Sequence, residues 1–112
     1  MFIKSKDYGN YIHTQKIELG EEFGKEKEEV FIVLREMDTK SVLKLKNASS
    51  TEDESAVLEV FREILPCLIV DHNFYETEEK KMSSKEVTDL LFEKIDAVGK
   101  VLKELQTVNF FH

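Results

Sequence analysis

Every strand signal in this 112-residue chain falls before residue 37 and the helix signals all follow, a division that an alternating βαβ fold cannot accommodate. It predicts an α+β domain. A small antiparallel sheet, built as a hairpin or three-strand meander, is expected from residues 1–36, three helices from 38–108, and a tail at 109–112. At this length the chain is one domain, 1–112, because two cores and a linker would not fit.

Within the first third, Ile17 and Leu19 alternate with Lys16 and Glu18, as in a strand buried on one face. Val30-Phe31-Ile32-Val33-Leu34 is the strongest strand, five consecutive apolar and mostly β-branched residues that suit a central strand covered on both faces. Between them, residues 20–28 are charged and bracketed by Gly20 and Gly24, which predicts an exposed hairpin loop.

Asp38 is a good N-cap for a short first helix ending near Asn47, with Met37 and Val42 at the positions of a hydrophobic staple. Thr51 and Glu54 have the spacing of a capping box for a second helix. Its buried stripe is Val57, Leu58, Phe61, Ile64, Leu65 and Leu68, and Pro66 predicts a kink or an end. Residues 71–81 read as a polar connection holding Phe74 and Tyr75. Ser83 and Glu86 make a second capping box, with Met82 and Val87 as its staple. From there Leu91, Ile95, Val98, Leu102 and Leu105 follow at helical steps, which predicts one long third helix of about 34 Å. Its stripe suits a core, and the four-three rhythm leaves a partner-helix or homo-oligomer role open.

A formal net charge of −7 disfavours nucleic acid and anionic membranes as partners, since both require clustered Lys and Arg. Protein partners are expected instead. Cys67 is the sole cysteine, so no disulfide framework exists, and its apolar setting reads as a buried structural thiol rather than a nucleophile. The opening residues lack the apolar region of a signal peptide, and the longest apolar runs are too short to span a bilayer. A cytoplasmic protein is therefore expected.

No chemistry is advertised. Gly9, Gly20, Gly24 and Gly99 are scattered and form no phosphate loop, and His13, His72 and His112 fall in three separate segments without metal-ligand spacing. No cofactor, metal or catalytic residue is implied. Asp71, His72 and Glu76 form the one cluster with acid/base types, and their place in a polar loop reads as ordinary surface and helix-end roles. The adjacent aromatics Phe110 and Phe111 are different, because an apolar pair in a tail serves either packing or partner contact.

The stretch Val30-Phe31-Ile32-Val33-Leu34-Arg35-Glu36-Met37-Asp38, a strand leading straight into a capped helix, resembles the small tail assembly chaperones of long-tailed bacteriophages and prophages. The Cys67-Leu68-Ile69-Val70-Asp71 element and the Ser83-Ser84-Lys85-Glu86-Val87 helix start extend the resemblance over residues 12–108. It implies a protein of the host bacterial cytoplasm that binds the helical tape measure protein and aids its delivery to tail tube subunits, without cofactor or reaction. No family residue carries over position by position. The partner surface expected on this chain is apolar, built from the second and third helices and the tail, with Val101, Leu105, Val108, Phe110 and Phe111 as its candidates. A ring-forming virion component, either a head-tail connector or a tail terminator, is the alternative.

Overall fold

The computed structural model describes residues 3–4, 13–25 and 29–109, with 3–4, 13 and 106–109 described by backbone alone. Its elements in chain order are β1 (Ile3–Lys4), β2 (His13–Glu18), β3 (Phe31–Arg35), α1 (Thr39–Ser50), α2 (Glu54–Leu68), β4 (Ile69–His72), α3 (Ser84–Phe92) and α4 (Ile95–Asn109). The strands form one antiparallel sheet in the order β1-β2-β3-β4. The class is α+β, as the segregated pattern predicts.

The register explains the burial. Ile17 pairs with Ile32 and Gln15 with Leu34, so these side chains share the face on which the helices pack. Val33 lies on the opposite face between Lys16 and Asp71, and it is buried as well. β3 is thus the central strand buried on both faces that its composition requires. Beyond β2 the chain closes tightly: the Lys25 N–H reaches the Gly20 carbonyl at 2.7 Å, and Gly24 turns at φ 69°, in the left-handed region that glycine enters without a Cβ clash.

β4 is the strand missing from the sequence expectation, which took residues 67–71 for a helix end and a polar connection. Ile69 leaves α2 in an extended conformation, and the β-branched Ile69-Val70 pair continues along β3 with a bulge opposite Val33 and Leu34. A four-residue strand is too short to show an alternation of its own.

Two helix boundaries also differ from expectation. α1 runs to Ser50 rather than Asn47, and Thr51 closes it by donating both its backbone N–H and its hydroxyl to the Ala48 carbonyl, at 3.2 and 2.7 Å. The Thr51–Glu54 capping box does not form. Asp53 is the N-cap of α2 instead, accepting the Ser55 N–H at 2.9 Å, and Glu52 between the two caps takes a positive φ of 62°.

The predicted long third helix is two helices, making four in all among the described residues. The N–H groups of Glu93 and Lys94 bond three residues back, to Leu90 and Leu91 at 3.1 and 2.9 Å, and the Lys94 carbonyl opens the next helix. Ile95, placed on the expected stripe, is 69% exposed. After the break Ala97, Val98, Val101 and Leu105 join Val87 and Leu91 in the core. The Asp38 N-cap and the Ser83–Glu86 capping box are present where the sequence puts them. Val57, Leu58, Phe61, Ile64, Leu65 and Leu68 bring α2 into the same cluster.

Candidate functional site

The polar cluster at the end of β4 is fully engaged in holding backbone. His72 is 6% exposed; its Nδ1 accepts the Phe74 N–H at 3.0 Å, so Nε2 carries the proton and donates to the Met82 carbonyl at 2.8 Å. Burial pushes the imidazole below its ordinary pKa, the neighbouring Lys81 adds to this, and the Met82 bond and Asp71 oppose it. A neutral ring with both nitrogens committed has neither a free lone pair for a metal nor a proton to exchange with a substrate. Asp71 accepts the His72 N–H at 2.8 Å and the Lys81 ammonium at 2.7 Å. These bonds outweigh the upward push of burial and hold its carboxyl below the usual range. Glu76 pairs with Lys80 at 2.9 Å and does not join His72. Among the described residues no group of three His, Cys, Asp or Glu side chains could hold a metal ion, and no helix is long and apolar enough to cross a membrane.

What this clasp positions is a hollow. By fixing the Phe74 backbone it presents the Phe74 ring to Phe23, whose ring meets it edge-on at 5.5 Å and 68°. Asn73 secures the floor: its Oδ1 accepts the Phe31 N–H at 2.9 Å and its Nδ2 donates to the Glu29 carbonyl at 2.6 Å, tying the start of β3 to the end of β4. Val30, Tyr75 and Leu90 complete an aromatic and aliphatic lining around about 350 Å³, with Lys25 and Glu29 at the rim. Tyr75 is 54% exposed, and Val30 and Leu90 are half-buried. The polar residues thus hold backbone in place around an apolar receptacle.

Cys67 is exposed, against the expectation of a buried thiol. The apolar run around it belongs to a helix, where Ile64, Leu65 and Leu68 face the core and Cys67 falls on the outer side. It borders a hollow of about 250 Å³ that also holds Arg35, Lys40 and Lys44.

The five candidate partner residues are not brought together. Val101 and Leu105 are completely buried in the core under the sheet, so no partner can touch them while the fold is closed. Val108 lies in the last turn of α4, its side chain beyond those described, and Phe110 and Phe111 lie outside the described residues. The residues of the hollow were not singled out from sequence as a site. Their signal was there nonetheless: Phe23 stands alone in a charged loop, and Phe74-Tyr75 interrupts an otherwise polar connection.

Comparison with protein-family models, with curated proteins and with solved structures finds no match to this chain.

Proposed function

We propose that this protein is a non-catalytic protein-binding domain, a phage tail assembly chaperone whose hollow takes apolar side chains from an amphipathic helix of a tape measure protein. The aromatic hollow is the observation that carries the reading: it is open, lined by Phe23, Val30, Phe74, Tyr75 and Leu90, and bounded by charge. Such a receptacle suits the i, i+3, i+4 face of a docked helix, and Tyr and Phe are the side chains on which protein interfaces concentrate binding energy. The net charge of −7 supports the role by keeping a complex with an aggregation-prone client soluble. The sequence resemblance supplies the identity of the client.

The test is co-expression of a tape measure segment with the chain or with its Tyr75→Glu variant. Tyr75 is 54% exposed, so the substitution leaves the core intact while placing a charge at the mouth of the hollow. Client recovered in soluble complex with the unaltered chain and lost with the variant supports the proposal. Client equally insoluble with and without the unaltered chain overturns it.

A further inference from the structure

We infer that the hollow selects a basic amphipathic helix, one whose apolar stripe is bordered by Lys or Arg. The inference rests on reading the hollow as a protein-binding site, and it adds the charge of the partner that the site accepts.

The interior of the hollow sets the first half of this chemistry. Both polar ends of the Asn73 side chain are committed to backbone, Oδ1 to the Phe31 N–H and Nδ2 to the Glu29 carbonyl, and the Glu29 carboxylate pairs with Lys16. Phe23, Val30, Phe74, Tyr75 and Leu90 supply the apolar lining. A side chain that enters gains by burying apolar area, and an aromatic one gains further from the rings it meets.

The mouth sets the other half. Glu21 belongs to the turn that carries Phe23, in which the Gly24 N–H donates to the Glu21 carbonyl at 3.1 Å. Glu78 and Glu79 are the tip of a hairpin that opens at Tyr75, which bridges to Lys81, and three and four residues of chain keep them within about 11 and 14 Å of Tyr75. Glu93 follows Leu90 by three residues, about one helical turn, and so stands on the same side of the end of α3. All four side chains are exposed, and none pairs with a cation among the described residues. The nearby cations are largely spent: Lys80 on Glu76 at 2.9 Å, Lys81 on Asp71 at 2.7 Å and Lys100 on Glu22 at 3.0 Å. Lys25 at the rim and Lys94 beside Glu93 offset part of the charge, and the mouth stays net negative.

A docked helix can use both halves at once. Residues three and four apart on it stand about 5–6 Å from each other, so a Lys or Arg bordering the anchor extends its cation toward these carboxylates over a distance comparable with the Debye length, about 8 Å at physiological salt. A bordering Glu meets like charge instead, which is how a rim rejects the wrong partner.

Three synthetic helical peptides test this, sharing one Leu and Phe stripe and differing only in Lys, Gln or Glu at the positions bordering it. Fluorescence anisotropy of each with the full chain at about 0.1 M salt should rank them Lys, Gln, Glu, with Lys ahead of Gln by about tenfold, and the spread should collapse at about 1 M salt, where the Debye length is about 3 Å. Glu78→Lys/Glu79→Lys should cut the preference for Lys at least about threefold and leave the affinity for the Gln peptide unchanged. Both positions are exposed, and a urea midpoint matching that of the unaltered chain establishes that the variant is folded. Equal affinity for the three peptides, a preference for Glu, or a preference for Lys undiminished at high salt or in the variant overturns the proposal. Tyr75→Glu separates it from the reading beneath it: the substitution adds a carboxylate, so weaker binding of the Lys peptide reports on the hollow and not on charge. Equal affinities that are all lost in Tyr75→Glu leave the hollow standing as a binding site and remove only its selectivity. Lys-peptide binding unchanged in Tyr75→Glu, or no binding of any peptide, overturns both.

Discussion

α2 contains a proline and continues past it, whereas the stretch from Ser84 to Asn109 contains none and breaks in the middle. Local chemistry predicts the reverse. In α2 the buried stripe of Phe61, Ile64, Leu65 and Leu68 keeps one direction, so burial favours helix on both sides of Pro66. Along Ser84–Asn109, α3 must pack beside α2, while α4 must lie along β2 with Lys100 and Glu104 against the strand. One rod cannot serve both directions. The turn at Glu93-Lys94 costs little because those residues are exposed, and it leaves Ile95 in solvent. Where a helix stops is decided here by what its two halves must cover.

The largest effect should come from testing which residues that turn buries. Leu91→Ala and Leu105→Ala should each cost about 2–5 kcal/mol, as for fully buried leucines, while Ile95→Ala should change stability by less than about 0.5 kcal/mol. Urea midpoints with unchanged slopes provide the measurement. A cost at Ile95 comparable to that at Leu91 would restore the continuous stripe and a single long helix.

That contrast also shows what could be read from sequence. Asp38, Ser83 and Glu86 announced helix starts correctly, a cap being complete within four residues, whereas Thr51 and Glu54 at the same spacing did not, since Asp53 took the cap. β3 was legible because five apolar residues in a row have few other uses. The break at Glu93-Lys94 and β4 were not, since the first answers to the direction of β2 and the second to the free edge of β3. The hollow was legible only as separate aromatics, Phe23 and Phe74-Tyr75, and not as one site. Its lining comes from the segment after β2, the start of β3, the segment after β4 and α3, and only the fold assembles them.

A middle-sized effect should separate the two ends of the sheet by pH. The folded pKa of His72 is below its ordinary value, so between the two values the unfolded chain binds more protons than the folded one, and stability is lost as pH falls through about 6.5 toward the folded value. One such group gives a slope of at most about 1.4 kcal/mol per pH unit. Asp71, also depressed, acts in the same sense at lower pH, its contribution being present above the unfolded carboxylate value and lost below it. Urea unfolding at pH 7 and pH 5.5 should show this loss, and His72→Gln should flatten it. Because His72 holds the Phe74 backbone, hydrogen exchange at Phe74 should quicken on acidification before exchange in α4 does. Uniform quickening in both places would show that the clasp is not a separate unit.

The smallest effect concerns the proline. Pro66 sits two residues before the end of α2, so its missing N–H leaves one carbonyl, that of Arg62, without its helical partner. Pro66→Ala would supply that bond, worth about 0.5–1.5 kcal/mol net, and would also free the unfolded chain, which costs about 0.4–1 kcal/mol. The two terms oppose each other at similar size, so the urea midpoint should barely move. Nor should α2 lengthen, because Ile69 is paired in β4 and pairing with Leu34 is lost if the helix runs on. A gain well above about 1.5 kcal/mol, or amide shifts showing helix through Ile69 and Val70, would mean that Pro66 terminates α2. Local chemistry would then govern this helix end after all, and only the break at Glu93-Lys94 would remain a product of packing.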